Sequence, residues 1–249
     1  MARVDYQGNA GTFRTHRTLP PDVLAVWKEA VVRAAGPAPG RVLDLGAGTG
    51  GFLEPLADWF GAAVVAVEPS AAMRDEAARA GLTGRHPYVG AWAESLPVRT
   101  GSVDVAWLST VIHQVDDRDQ VFRELRRVVR PGGVVALRGF LADVPATGLL
   151  GAFPGTERVA ATFPSTGEVV ASGQRAGFTV RHVEDVVEPW RVELPAWRAG
   201  VRDLRHVDSW CRALTDAEIA EGLRSVEAAY AGVDGPIASD VTLRLLVVG

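Results

Sequence analysis

The run Arg41-Val42-Leu43-Asp44-Leu45, followed at once by Gly46-Ala47-Gly48-Thr49-Gly50-Gly51, constrains the fold of this chain more than any other segment. The first five residues read as a short buried strand, and residues from about Gly50 to Phe60 read as a helix. Glycines placed between a strand and a helix permit a tight turn and let backbone approach a ligand closely. The helix N-terminus then offers free N–H groups and a partial positive charge.

A strand–loop–helix unit of this kind needs a parallel sheet around it, and the first half of the chain supplies one. Apolar runs at Ala63–Val67, Arg85–Val89, Asp104–Leu108 and Val134–Leu137 alternate with helical patterns over 21–34, 70–80 and 117–130. Leu24, Trp27, Val31 and Ala34 line the first of these helices, which Pro20-Pro21-Asp22 opens and Gly36-Pro37 stops. In the helix over 117–130, Val121, Leu125, Val128 and Val129 keep the apolar face. Its cluster of Arg123, Arg126, Arg127 and Arg130 reads as a solvated face, partly favoured by the helix dipole, rather than as a nucleic-acid contact. Alternation at this spacing predicts an α/β fold with helices on both faces of the sheet.

The second half changes character. Residues 140–164 show little periodicity. Capping boxes at Ser165…Glu168 and Thr215…Glu218 start two helices, the first ending at Gly177 and the second presenting Ile219, Leu223, Val226 and Tyr230. Phe178–Val187 and Val241–Val248 read as a sixth and a last strand. The stretch between them is too long for a hairpin and reads as a lid, with Trp190, Trp197 and Trp210 in it.

With 249 residues, 47% of them hydrophobic, the chain buries one large core. A net charge of −4 provides no positive field for nucleic acid. A single cysteine, Cys211, excludes an internal disulfide and a thiolate cluster, and His86, His182 and His206 lack metal-ligand spacing, so no metal is expected. The start of the chain carries Arg3 and Asp5 without an apolar run, and no stretch approaches the ~20 apolar residues of a membrane span. These features predict a cytoplasmic protein that engages neither nucleic acid nor membrane; it is expected as a monomer or homodimer with a small molecule as its partner.

Glu68 closes the second strand about 20 residues after the loop, where a carboxylate can accept the ribose hydroxyls of an adenosine-containing cofactor. Loop and acid alone leave S-adenosylmethionine (SAM), NAD and a purely structural turn open, because Gly46, Gly48 and Gly51 also satisfy the dinucleotide spacing GxGxxG.

Five segments in register resemble the motifs of class I SAM-dependent methyltransferases, specifically the type 11 group that includes quinone-biosynthesis enzymes. They are the loop with Asp44 two residues before its first glycine, Val67-Glu68-Pro69-Ser70-Ala71-Ala72-Met73, Ala93-Glu94-Ser95-Leu96-Pro97, Leu108-Ser109-Thr110-Val111-Ile112-His113, and Leu125 to Gly133. The resemblance implies a Rossmann-like, seven-stranded, mostly parallel sheet with an antiparallel last strand, and a helical insertion before that strand. It implies a SAM site built by Asp44, Gly46, Ala47, Gly48, Glu68, Pro69, Met73, Ala93, Glu94, Ser109 and Thr110, with S-adenosylhomocysteine as product. Phe13-Arg14-Thr15-His16-Arg17 looks like the family's cofactor-capping segment, which makes Arg17 the candidate for the methionine carboxylate. Where many relatives place Asp before the Ala-Glu pair, this chain has Trp92.

His113, just beyond the fourth strand, is the candidate general base, and His16 a second candidate beside the transfer site. The Trp-rich stretch over 190–210 and the segment 140–164 are expected to enclose an apolar or aromatic acceptor. A single domain over 1–249 then divides into an N-terminal cap over 1–35, a SAM-binding core over 36–140, and substrate-side segments and lid over 141–240. Three other functions stay open: a same-fold SAM enzyme that performs cyclisation, an NAD-dependent oxidoreductase, and a non-catalytic SAM-binding protein.

Overall fold

The computed structural model describes residue 6, residues 8–36 and residues 40–249; Arg3, Asp5 and Pro37 lie outside the described residues. Its strands are β1 (Arg41–Leu45), β2 (Ala63–Val67), β3 (Tyr88–Val89), β4 (Val103–Ser109), β5 (Val129–Gly139), β6 (Val180–Val192) and β7 (Ile237–Val248). Its α-helices are α1 (Ala10–Arg17), α2 (Pro21–Ala35), α3 (Leu53–Phe60), α4 (Ala71–Arg79), α5 (Arg118–Val128), α6 (Thr156–Ala160), α7 (Thr166–Arg175), α8 (Leu194–Asp203) and α9 (Asp216–Ala229). The strands form one sheet in the order β3-β2-β1-β4-β5-β7-β6. β1 to β5 run parallel, and β7 inserts antiparallel between β5 and β6.

Side chains on successive strand positions point to opposite faces, and this alternation divides the core. Leu43, Leu45, Ala106, Leu108, Val135 and Leu137 pack with Phe122, Leu125 and Val169 on the α5–α7 face. Val42, Val105, Trp107, Val134 and Ala136 pack with Val23, Trp27, Leu53 and Leu56 on the α2–α3 face. A third cluster, with Leu149, Phe153, Trp210, Leu214, Ile219 and Val226, lies in the second half of the chain. Helix α2 thus belongs to the core layer on its Trp27 face, although its sequence falls in the range read as a cap.

Both capping boxes form, at Ser165 with Glu168 and at Thr215 with Glu218; each cap contributes about 0.5–2 kcal/mol. Several elements differ in length from their sequence reading, three of them for a local reason. β3 is reduced to two residues, because the N–H groups of Arg85 and His86 turn back onto the Leu82 carbonyl and Pro87 has no N–H to offer. β5 starts at Val129, across a bulge in its pairing with β4. β6 continues to Val192 as an edge strand, where Pro189 is tolerated. No helix among the described residues is long and apolar enough to cross a membrane.

Candidate active site

The C-terminal ends of β1, β2 and β4 open onto one cavity of about 1000 Å³. The glycine loop forms its first wall. Gly46 and Gly48 adopt φ of +74° and +56°, and a Cβ at Gly46 would lie 2.4 Å from Val111 Cγ2. The N–H groups of Gly46 and Ala47 donate to the Val67 carbonyl at 2.7 and 3.2 Å, tying the loop to the end of β2. Nothing stands within 4 Å of a Cβ built on Gly48, which lines the cavity.

Glu68 is held from both sides. Gly48 N–H donates to Oε2 at 2.9 Å and Ser70 N–H to Oε1 at 2.8 Å. Arg74 donates to the carbonyls of Glu68 and Pro69, which fixes the strand end. Burial raises the pKa of Glu68, and burial together with the neighbouring Glu68 carboxylate pushes that of Asp44 up to about 8. Among the described residues neither carboxylate has an ion-pair partner. The pair therefore favours a ligand that carries hydroxyls and positive charge, and it would repel a pyrophosphate or a 2′-phosphate. That chemistry fits SAM. Pro69, Met73, Ala93 and Glu94 line the same region of the cavity, with Met73 and Ala93 buried, and Trp92 stands half exposed at its edge.

The other end of the cavity is built by β4, β5, β6, α1 and the second half of the chain. Ser109 ends β4 and Thr110 follows it. Thr110 holds φ of +56°, and its N–H donates to the Arg138 carbonyl at 2.6 Å. Arg138 and Glu188 form a buried ion pair in the wall. Glu188 also accepts the indole N–H groups of Trp27 and Trp190, while Arg138 donates to Ser109 Oγ and lies over the rings of Trp27 and Phe52. Every polar group of this network has a partner, so it is rigid as well as buried.

The segment over 204–214, which has no regular helix or strand, closes the remaining side. Asp208 Oδ1 accepts from Trp210 and Cys211 N–H at 2.9 and 3.0 Å, and its Oδ2 faces the Arg17 guanidinium. Ser209 Oγ lies 2.9 Å from His113 Nε2, and His16 Nε2 lies 3.0 Å from Asp203 Oδ2. Burial, reinforced by the charge of Arg17, lowers the pKa of His113 to about 4 and keeps the ring neutral. Phe163 lies against that ring at 4.9 Å between centroids.

The cavity thus brings together all fourteen residues expected from the sequence. Their chemistry is distributed differently for α1: Arg17 is engaged with Asp208, while Arg14 contacts the glycine loop by donating to the Thr49 carbonyl at 3.1 Å. The sequence reading missed Arg14, Arg138, Glu188, Asp208 and Ser209. Arg138 carried the one usable signal, a charge at the end of an otherwise apolar strand. The arginines of the cluster are engaged within the fold, Arg127 of α5 on Glu124 and Arg130, which lies in β5 and not on the helix, on Asp104, and the described residues contain no cluster suited to a metal.

Comparison with known proteins agrees with this geometry. Residues 43–137 match the family described as methyltransferase domain. The ubiquinone/menaquinone biosynthesis C-methyltransferase of Idiomarina loihiensis is 31% identical over 153 residues, covering 59% of this chain and 58% of that protein. The methyltransferase GfsG of Streptomyces halstedii is 36% identical over 166 residues, covering 63% and 59% respectively. The chain therefore spans less than two thirds of the length of these curated relatives. A methyltransferase ascribed to an antibiotic biosynthesis pathway of Anabaena variabilis shares the fold, with a TM-score of 0.66 at 23% identity over 94% of this chain and 99% of that one. These matches favour SAM over NAD at the glycine loop: residues 43–137 resemble a methyltransferase domain, and the curated relatives named here are methyltransferases.

Proposed function

We propose that this protein transfers a methyl group from SAM to a small, largely apolar acceptor in the cytoplasm. The carrying observation is that one cavity runs from Glu68 and the glycine loop, past Ser109 and His113, to Trp197 and Trp210. Cofactor and acceptor can therefore meet in a single enclosure, which serves the alignment and the exclusion of water on which such a displacement depends.

In this reading Glu68 takes the ribose hydroxyls, and Pro69, Met73, Ala93 and Glu94 hold the adenine end. Asp44 and the backbone of Gly46, Ala47 and Gly48 hold the amino-acid end, where Arg17 serves the carboxylate with donors beyond those facing Asp208. When bound, SAM supplies a methyl group on a sulfonium, which leaves as a neutral thioether as the acceptor's lone pair takes the carbon. Ser109 and Thr110 line that point, His113 is the base, and His16 closes the mouth with Asp203. Residues 1–35 provide the cap through α1, 36–140 the cofactor core, and 141–240 the acceptor walls.

Calorimetry with SAM and with NAD tests the cofactor, and mass spectrometry after incubation with SAM and a panel of apolar acceptors tests the reaction. Binding of SAM but not NAD, with a methylated product and S-adenosylhomocysteine, is the expected result. A rearranged acceptor of unchanged mass, with SAM intact, would replace methyl transfer with cyclisation as the function.

A further inference from the structure

His113 has two ring nitrogens in different situations. Nε2 lies 2.9 Å from Ser209 Oγ, whereas Nδ1 is buried and has no hydrogen-bond partner among the described residues. The residue is 7% exposed and lines the cavity. Its ring is held by the Phe163 ring on α6's C-terminal side and by Ser209 across the cavity, on a segment 96 residues away. A neutral imidazole carries one proton, and the hydrogen bond at one nitrogen decides which nitrogen keeps it.

The two possible tautomers differ in what they leave unpaired. If Nδ1 held the proton, a buried N–H would have no acceptor, an arrangement that folded proteins rarely tolerate. If Nε2 holds it, the N–H donates to Ser209 Oγ and Nδ1 keeps only a lone pair to be satisfied by a ligand. We propose that Ser209 is a positioning residue that fixes His113 as the Nε2–H tautomer, and that the acceptor is a molecule whose nucleophilic atom carries a removable proton, such as a hydroxyl, which it gives to Nδ1. The proton leaves the acceptor atom as that atom forms its new bond, resides on the ring as imidazolium, and passes to solvent when the site opens. Arg17 from α1 is the charge that acts on the ring, and it faces Asp208 beside Ser209; Arg138 and Glu188 line the same cavity as a pair, so the two cationic groups are each already matched by a carboxylate.

The acceptor class rests on the methyl-transfer reading above; the tautomer does not, and it can be read without cofactor or acceptor. The test is the nitrogen-15 spectrum of histidine-labelled protein at neutral pH, with two-bond proton–nitrogen correlations that distinguish protonated from unprotonated ring nitrogens. Loss of one ring system in His113→Gln, or its Overhauser contacts to Phe163 in the unmodified protein, assigns the resonance. The expected pattern is a single Nε2–H tautomer for His113 in the unmodified protein, a mixture of tautomers in Ser209→Ala, and recovery in Ser209→Thr. On an acceptor that is methylated, Ser209→Ala should lower kcat about 10- to 100-fold with KM changed less than about threefold, as for a base left in place but misdirected. An Nδ1–H tautomer in the unmodified protein overturns the proposal by itself, even if no variant folds. An unchanged tautomer in Ser209→Ala, or methylation confined to atoms without a removable proton, overturns it equally. Absence of any methyl transfer with the expected tautomer pattern would instead remove the functional reading and leave the role of Ser209 standing.

Discussion

Replacing Asp44 by asparagine should make the protein more stable at neutral pH and a poorer binder of its cofactor. Asp44 is 2% exposed, and burial together with Glu68 moves its pKa from 3.8 to about 8. In the unfolded chain the carboxyl ionises near 4. Between pH 4 and 8 the unfolded state has therefore lost a proton that the folded state keeps. Folding takes up a proton over this window, so stability is greatest below pH 4 and falls as pH rises, until it levels above about 8. At 1.36 kcal/mol per unit, the part of the window from pH 5 to 8 amounts to about 4 kcal/mol. Asparagine does not titrate, so any fixed cost of its amide displaces the stability curve without tilting it. Urea unfolding of both proteins at pH 5, 6, 7 and 8 measures the tilt. The difference should move toward the variant by about 4 kcal/mol, equivalent to ~10 °C in Tm for a chain of this size. Curves that stay parallel would show that the carboxylate is compensated and refute the reasoning. SAM binding should move the other way, weakening about tenfold or more, because a buried carboxylate next to a cationic ligand is a charged partner lost. In the unmodified protein, SAM should displace a proton at pH 7, which calorimetry in buffers of different ionisation enthalpy detects.

Glu188→Ala should destabilise by about 3–5 kcal/mol in urea unfolding, since it leaves Arg138 buried without its partner and frees the indole N–H groups of Trp27 and Trp190; a loss below 1 kcal/mol would mean that Arg138 finds water. Tyr88→Phe should cost nothing and raise stability by up to about 1 kcal/mol in a thermal scan, because the Tyr88 hydroxyl is buried without a partner among the described residues. His113 supplies an acid-side contribution: its folded pKa of about 4 lies below the unfolded value near 6.5, so the unfolded state protonates first and stability falls by about 3 kcal/mol from pH 6.5 to 4. His113→Gln should flatten that limb in the same measurement.

How much of this was legible in the sequence follows from the range of each interaction. Asp44, the glycine loop and Glu68 were readable because strand, turn and helix fix them within a few residues, and the parallel pairing of β1 with β2 then sets Glu68 beside Gly48. Both capping boxes were readable for the same reason, since each is a local contact three residues long. The shortening of β3 was not, because an apolar pattern does not show that Leu82 captures the following N–H groups. The least legible contacts join residues far apart in the chain. Glu188 meets Arg138 across the intervening β7, from a strand 50 residues further on, and Ser209 meets His113 only because an irregular segment folds back over the cavity. No periodicity in a single sequence encodes such pairs. For α1, helical geometry puts Arg14 and Arg17 three residues apart on neighbouring positions, and only tertiary packing decides that Arg14 is the one that reaches the Thr49 carbonyl.

The closing segment over 204–214 poses a question that substitution at Asp208 can decide. Having no helix or strand of its own, it is held by packing of Trp210 and Leu214, by Arg205 donating to the carbonyls of Cys211 and Leu214, by Ser209 on His113, and by two kinds of bond at Asp208. Oδ1 of Asp208 accepts the N–H groups of Trp210 and Cys211, and Oδ2 faces Arg17, whose side chain is 39% exposed. Asparagine keeps the amide oxygen for the two N–H groups but loses the charge; alanine loses both. An ion pair with one exposed partner contributes ~1 kcal/mol or less, whereas two buried N–H groups left without acceptors cost about 1–3 kcal/mol each. Asp208→Asn should therefore preserve slow hydrogen exchange at the amides of Trp210 and Cys211, and Asp208→Ala should abolish it together with resistance of the segment to proteolysis. Fast exchange in both variants would assign the closure to the charge pairing with Arg17 instead. In that case α1, and not the turn at Asp208, holds the acceptor side of the cavity shut.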